Sequence, residues 1–257
     1  TPLIAIGVIE AVLAMITVAF VREGPVARPR EGKSWVAIAR EAWGTDALRE
    51  RGFLYMTLTR LLFLMGPSVF VNVSLYYVRD SLGQTGANET IWVTVGLATI
   101  AIGSAVGAIP SGRLADWFGR KQVVWAAALL AALGIVLLAR APTPFEALPG
   151  LALLGLGNGL YIAVDWALMT STIPRVASGR YMGLANIANS ISPPLAIISG
   201  GVILDVVTQT AGVELAPRAA ILVGIVFLAG ASLLLTRVRP RVEPPGEVQM
   251  AAVDTTA

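Results

Sequence analysis

Two charged residues lie deep inside long apolar segments, where ionisable side chains are costly and usually functional. Arg60 follows Arg51 by nine residues, and Asp165 precedes Pro174 by nine. In antiparallel helices that rise 1.5 Å per residue, both charges lie about 14 Å from the same end and are level with one another. Equal depth permits an ion pair between them if the two helices are neighbours. Asp165 could take up a proton when the guanidinium is drawn away, or the pair could be purely structural.

Further polar residues follow these charges along the same helix faces, taking 100° per residue. The set comprises Thr57, Ser68 and Asn72 with Arg60, and Asn158, Tyr161 and Thr172 with Asp165. A later segment has Asn186, Asn189 and Ser190 on one face, followed by Pro193 and Pro194, which should bend or break its helix. The faces around Arg60 and Asp165 predict a polar cavity, whereas the amides of the later segment predict helix packing.

Seven apolar segments position these residues, and each is long enough to cross a hydrocarbon core that needs about 20 residues. They are 2 to 21, 53 to 78, 91 to 110, 122 to 139, 147 to 173, 181 to 204 and 219 to 236. The chain is 56% hydrophobic and 14% charged, whereas soluble domains have about 25% charged residues. The sequence therefore predicts an all-α transmembrane protein whose solvent is the lipid bilayer, with no nucleic-acid partner.

Arginine and lysine predict the orientation. The connections after the first, third, fifth and seventh segments contain fifteen of them, and the alternate connections contain only Arg79, Arg140 and Arg218. The positive-inside rule places the first set in the cytoplasm of a multi-pass protein of the cell membrane, with the amino end outside and the carboxyl end in the cytoplasm. Residues 22–52, with Pro25 and Pro29, are predicted to be a cytoplasmic linker, and 238–257 a disordered tail.

The turn after the third segment has the most specific pattern of the chain, GRLADWFGRK from Gly112 to Lys121. It resembles the G-x-L-A-D-x-x-G-R-K motif found on cytoplasmic turns of the major facilitator superfamily, although Trp117 replaces a residue that is usually basic there. We expect glycines to turn the chain, an aspartate to cap a helix start and basic residues to pair with carboxylates at a cytoplasmic gate. These residues are Gly112, Arg113, Asp116, Gly119, Arg120 and Lys121.

If this is the second copy of the family's motif, the seven segments correspond to helices six to twelve of a twelve-helix fold. Residues 1–21 would then be the last helix of the amino-terminal half, and 53–237 the six-helix carboxyl-terminal half, with the rest of the amino-terminal half as a missing partner. Substrate sites in such folds lie near the midplane between the halves. The resemblance implies a cavity lined by Arg60, Asp165, Thr57, Asn72, Asn158, Tyr161, Asn186 and Asn189. Glu10, on a peripheral helix, is assigned to packing or, alternatively, to proton transfer.

Several short stretches look like the sucrose-type and glycoside-cation symporter branches of that family: Arg60-x-x-Phe63, Tyr76-Tyr77-Val78-Arg79-Asp80, Asp165-Trp166-Ala167-Leu168 and Gly179-Arg180-Tyr181. The resemblance implies proton-coupled movement of a small polar solute, possibly a sugar, by alternating access, without enzyme activity, cofactor or metal. A drug or metabolite exporter of the same family remains open, as does a membrane assembly subunit. A seven-helix receptor with retinal is disfavoured, because Lys33 and Lys121 are the only lysines.

Overall fold

The computed structural model describes residues 2–20, 50–170 and 178–238, and the side chains of 2–6, 18–19 and 178–180 are not included. The described residues form seven helices with no strand. These are α1 Pro2–Phe20, α2 Arg51–Tyr76 with a π-helical turn Tyr77–Ser81, α3 Ala87–Phe118, α4 Arg120–Arg140, α5 Pro144–Thr170, α6 Ser178–Ala211 and α7 Ala216–Leu235. The predicted linker 22–52, apart from 50–52, and all of the predicted tail except Val238 lie outside this range.

Six of the described helices, α2 to α7, are long and apolar enough to cross a membrane. The chain divides into two compact units, residues 1–42 with α1 and residues 43–257 with the other six. In α1 the apolar stretch with described side chains is Gly7–Thr17, and Glu10 is exposed on it. The hydrophobic core lies in the second unit, where α5 packs against α3 and α4, and α2 packs against α6 and α7.

Helix α5 can lie close to its neighbours because glycines stand at the contact points. A methyl group at Gly134 of α4 would lie 2.6 Å from the carbonyl oxygen of Gly150, and one at Gly103 of α3 would lie 2.8 Å from that of Ala152. Since Cβ atoms do not approach backbone so closely, larger residues would force the helices apart. The position of α5, and therefore of Asp165, is fixed by these contacts.

The third apolar segment forms a longer helix than its hydropathy indicates. Helix α3 continues past residue 110 to Phe118, and Gly119 alone separates it from α4. Gly119 has φ +90°, in the region that favours glycine, so it makes the turn by itself. The predictions that Gly112 turns the chain and that Asp116 caps a helix start are therefore wrong. Both residues lie within the last turns of α3, because Arg113, Leu114 and Ala115 are good helix formers.

Of the bend or break predicted at Pro193 and Pro194, the break is wrong, because α6 runs without interruption from Ser178 to Ala211. Proline at 193 leaves the carbonyl oxygen of Asn189 without its usual helical donor. The hydroxyl of Ser192 donates to that oxygen over 3.4 Å. Hydroxyl groups are one of the means by which membrane helices tolerate proline.

The end of the bundle opposite Gly119 is joined by polar contacts to main-chain carbonyls. Arg218, near the start of α7, donates to the carbonyl oxygens of Ala139 at 3.0 Å, Ala141 at 2.9 Å and Ser81 at 3.1 Å. The hydroxyl of Tyr77 donates to that of Leu138 over 2.7 Å. These bonds connect the ends of α2 and α4 with the beginning of α7.

Candidate functional site: a buried ion pair between three helices

The structure brings the two intramembrane charges of the second unit together. Nη1 of Arg60 on α2 lies 3.0 Å from Oδ2 of Asp165 on α5, and each side chain is only 3% exposed. Two charges removed from water in this way require further hydrogen bonds to offset their lost hydration. Both side chains make such bonds.

The second carboxylate oxygen of Asp165 is bound by the neighbouring turn of α5. The hydroxyl of Tyr161 donates to Oδ1 over 2.8 Å. The ring of Tyr161 is buried and stacks on Phe63 of α2, with centroids 3.6 Å apart and planes 10° from parallel. Residues four apart lie on one helix face, so the spacing of Tyr161 and Asp165 makes this contact possible. Tyr161 therefore fixes the carboxylate on the side away from Arg60.

The guanidinium of Arg60 contacts three further residues. Its Nε donates to Oδ1 of Asn189 on α6 over 3.2 Å, and Nη1 lies 3.1 Å from the sulfur of Met169. Its Cζ lies 4.7 Å from the centroid of the Trp166 ring, within the range of a cation–π interaction. We name this group the Arg60 cluster, which consists of Arg60, Tyr161, Asp165, Trp166, Met169 and Asn189. It joins α2, α5 and α6.

Sequence reasoning missed two members of the Arg60 cluster, Trp166 and Met169. Met169 is four residues after Asp165, so helical spacing could have placed it on the same face. Trp166 adjoins Asp165 in the chain, and neighbours in a helix point about 100° apart, so spacing gave no signal for it. Both are apolar side chains, which a search for polar stripes passes over.

One side of the Arg60 cluster is open. Asn189 and Asn186 are exposed and joined by a 3.3 Å hydrogen bond from Nδ2 of Asn189 to Oδ1 of Asn186, and Trp166 is 40% exposed. One turn before Arg60, the hydroxyl of Thr57 is enclosed and has no hydrogen-bond partner in the described structure. A buried ion pair is thus bordered by amides, an indole and an unsatisfied hydroxyl.

Two other predicted cavity residues make their hydrogen bonds elsewhere. Asn72 donates to the carbonyl oxygen of Ser68 on its own helix over 2.8 Å. Nδ2 of Asn158 donates to the hydroxyl of Ser104 on α3 over 3.2 Å. The contact of Asn158 therefore joins α5 to α3 through an amide. Thr172 lies outside the described residues.

The motif residues also differ from expectation in their partners. Nη1 of Arg120 donates to the carbonyl oxygen of Ala167 over 2.7 Å, and the ammonium of Lys121 donates to that of Val238. Arg113 and Asp116 are exposed, and within the described ranges neither forms an ion pair. Among the described residues, neither Arg120 nor Lys121 forms the predicted pair with a carboxylate. Carbonyl groups at helix ends bear partial negative charge and attract cations, a feature that side-chain types do not reveal.

The contact of Arg120 connects the motif to the site. Ala167 lies in the last turns of α5, two residues after Asp165. A movement of the turn at Gly119 would therefore act on the same end of α5 that holds the carboxylate. Within the described ranges, no three histidine, cysteine, aspartate or glutamate residues come close enough to hold a metal ion.

Comparison with known proteins identifies the family. The sequence matches the profile of the Major Facilitator Superfamily over residues 1–196 and again over residues 68–254. The matched ranges cover almost the whole chain, so the chain belongs to this superfamily. Together with its apolar helices, this makes it a multi-pass membrane protein of a transporter family rather than an enzyme.

Individual relatives include carriers of different kinds. The chain is 36% identical to the minor myo-inositol transporter IolF of Bacillus subtilis over 92 residues, 36% of this chain and 21% of that protein. It is 28% identical to a proton myo-inositol cotransporter of Caenorhabditis elegans over 141 residues, 54% of this chain and 23% of that protein. It is 29% identical to the multidrug resistance protein MdtL of Klebsiella pneumoniae over 144 residues, 56% of this chain and 36% of that protein. The chain thus spans about a fifth to a third of these relatives.

Proposed function

We propose that this chain forms the carboxyl-terminal part of a carrier that moves a neutral polyhydroxylated solute, such as a sugar, coupled to a proton. The observation that carries the proposal is the Arg60 cluster, a buried ion pair with exposed amides along one side. Two relatives are named for myo-inositol, a neutral polyol, and one of them is also named for a proton.

The charges of the cluster support a neutral solute. The positive charge of Arg60 is balanced by Asp165 at 3.0 Å, so the pair has no net charge to offer an ionic solute. The groups beside it are the amides of Asn186 and Asn189 and the hydroxyl of Thr57. Amides and hydroxyls both donate and accept hydrogen bonds, as the hydroxyls of a polyol do. A charged solute would remain uncompensated there, which is unfavourable away from water.

The coupling to a proton follows from the dependence of each charge on the other. Protonation of Asp165 would remove the counter-charge of Arg60, and a buried guanidinium without a partner is strongly unfavourable. Arg60 would then keep its bond to Asn189 on α6 and turn its freed Nη1 towards the solute. A change at one carboxyl group is thereby linked to the relative position of α2, α5 and α6, which is what alternating access requires.

The remainder of the site would come from an amino-terminal half. We assign α1 to helix six and α2 to α7 to helices seven to twelve of the twelve-helix fold, with 22–52 as the central linker. The two halves of this fold are structural repeats. A profile of the whole family can therefore match one half in two registers, and the overlapping matches over 1–196 and 68–254 support this assignment.

Export of a drug or metabolite is the second candidate, because one relative is named for multidrug resistance. Reconstitution of the intact carrier in liposomes separates the two. With an imposed proton gradient, we expect accumulation of radiolabelled myo-inositol or sucrose that a protonophore abolishes. Gradient-dependent movement of a hydrophobic cation, with no movement of any neutral polyol, would overturn the proposal.

A further inference from the structure

Helices α4 and α7 enclose an apolar groove that the proposed transport site does not use. Its lining residues are Trp125, Ala128, Leu129 and Ala132 of α4, and Ile225, Leu228, Ala229 and Ser232 of α7. Leu129 is 62% exposed, so the groove opens outward from the packed helices rather than into the core. Three of the eight lining residues are alanines, whose small side chains leave space between the two helices.

The size of the groove fits part of one lipid chain. Its volume of about 290 Å³ far exceeds the roughly 10 to 15 Å³ that one water molecule needs on this measure, so it can hold several methylene groups of an acyl chain. In a bilayer the groove must be filled, because its walls would otherwise lose their dispersion contacts.

One end of the groove is positively charged. Lys121 lies one helical turn before Trp125 on α4, and its ammonium reaches the carbonyl oxygen of Val238, just beyond the end of α7. It therefore bridges the two helices that form the groove. Arg237 adjoins Val238 and is exposed. In the described part of the chain, neither cation forms an ion pair with a carboxylate.

Trp125 marks the same end of the groove. Its Nε1 donates to the carbonyl oxygen of Ser232 over 3.2 Å, so the indole connects α4 with α7 below Lys121. Tryptophan is enriched where membrane helices meet the headgroup layer. Along the groove, the cation comes first, then the indole, and then the apolar lining. A phospholipid has the same order, from its phosphate group to its acyl chains.

We propose that this groove binds an anionic phospholipid, with its phosphate group at Lys121 and Arg237 and one acyl chain between α4 and α7. Basic pockets between membrane helices recognise acidic headgroups in this way. With the orientation predicted from the charge distribution, the lipid belongs to the cytoplasmic leaflet. This proposal does not depend on the identity of the transported solute.

Native mass spectrometry of the purified intact carrier tests the proposal with phosphatidylglycerol and phosphatidylcholine. The wild type should retain phosphatidylglycerol preferentially, and Lys121→Gln should reduce that preference about fivefold, the effect of about 1 kcal/mol for a basic residue near anionic lipid. Arg113→Gln, which removes an exposed charge from the neighbouring end of α3, should leave it unchanged. Arg237→Gln provides a second variant if Lys121→Gln does not fold.

A pair of steric variants locates the acyl chain. Ala229→Phe should fill the groove and displace the bound lipid, whereas Val226→Phe, at a 68% exposed position of α7 outside the groove, should not. Equal retention of both lipids by the wild type would overturn the proposal. So would bound phosphatidylglycerol that survives Ala229→Phe, or a dimer that forms when lipid is removed from the wild type and that Ala229→Phe abolishes.

Discussion

At the scale of single residues, Asp165 is held by two different donors. Oδ2 faces Arg60 at 3.0 Å and Oδ1 accepts from Tyr161 at 2.8 Å. The first contact balances charge, whereas the second fixes the orientation of the carboxyl group and connects it to a ring stacked on Phe63. Tyr161 is therefore a positioning residue, and its hydroxyl can be removed without disturbing the stacking.

Tyr161→Phe should lower the stability of the folded carrier by about 1 to 3 kcal/mol, the cost of leaving a buried acceptor unsatisfied. It should also shift the pH dependence of transport. The carboxylate of Asp165 would lose the hydrogen bond from Tyr161, which favours its charged form. Thermal unfolding and transport across a pH series measure the two effects.

Tyr77→Phe is the matched control, because Tyr77 is equally buried and donates to a main-chain oxygen at the far end of the bundle. It should reduce stability while leaving the pH profile of transport in place. Identical pH profiles for Tyr161→Phe and the wild type would contradict the positioning role.

The pairing of Arg60 with Asp165 could be anticipated because helical rise converts residue counts into depth, and because the family resemblance implies that both helices line one cavity. The partners of Arg120 and Lys121 could not be anticipated, because they are main-chain carbonyl groups. Every residue has such a group, so side-chain types do not single out a partner. Trp166 was overlooked for a related reason: its contact with Arg60 uses the face of an apolar ring. Polar patterning identifies the charged centre of such a site better than its surroundings.

At the scale of elements, hydropathy located the membrane segments but not their ends. The apolar signal of α3 stops near residue 110, whereas the helix continues to Phe118, because helix formation does not require apolar residues. Likewise Pro193 did not end α6, since the neighbouring Ser192 hydroxyl donates to the freed carbonyl. Both errors came from a rule applied to single residues: polar residues were taken to end α3, and proline was taken to interrupt α6.

Gly134→Ala tests whether close packing fixes the position of α5. Its added methyl group would lie 2.6 Å from the carbonyl oxygen of Gly150, so we expect a loss of about 1 to 3 kcal/mol of stability from overpacking. Gly201→Ala on α6, where nothing lies within 4 Å, should be neutral or slightly stabilising. Thermal unfolding in detergent compares the two. Equal unfolding temperatures would show that the α4 and α5 contact is not tight.

At the scale of the whole molecule, the basic residues separate into two ends. The end with Gly119 contains Arg113, Arg120 and Lys121, and the opposite end contains Arg79 and Arg218. Basic residues at both ends bind main-chain carbonyls: Arg120 bonds to the end of α5, and Arg218 bonds to the ends of α2 and α4. Which end faces the cytoplasm remains a prediction from the charge distribution.

Accessibility labelling tests the orientation, and this chain contains no cysteine to interfere. Arg79→Cys and Arg113→Cys are both at exposed positions, and each would be introduced into a version of the intact carrier without other cysteines. An impermeant thiol reagent added to whole cells should label position 79 and leave position 113 unmodified until the cells are opened. Labelling of position 113 in whole cells would reverse the orientation.

Asp116 is predicted to act at the gate and not on the solute. It is exposed near the end of α3, whereas a midplane site lies about 15 Å away, half of a 30 Å core. Asp116→Asn should therefore slow transport severalfold while equilibrium binding of the solute is retained. Isothermal titration and initial uptake rates separate the two. A folded variant that no longer binds the solute would place Asp116 in the binding site instead.

The central claim, that the Arg60 and Asp165 pair couples a proton to transport, is tested most directly by Asp165→Asn in the intact carrier. Reconstituted in liposomes, this variant should lose accumulation of the solute against a gradient while retaining more of its solute exchange, which needs no net proton movement. The double variant Arg60→Gln with Asp165→Asn controls for folding, because it removes the unpaired charge that the single change leaves buried. If Asp165→Asn still accumulates the solute with the pH dependence of the wild type, the pair is structural and the coupling role is wrong.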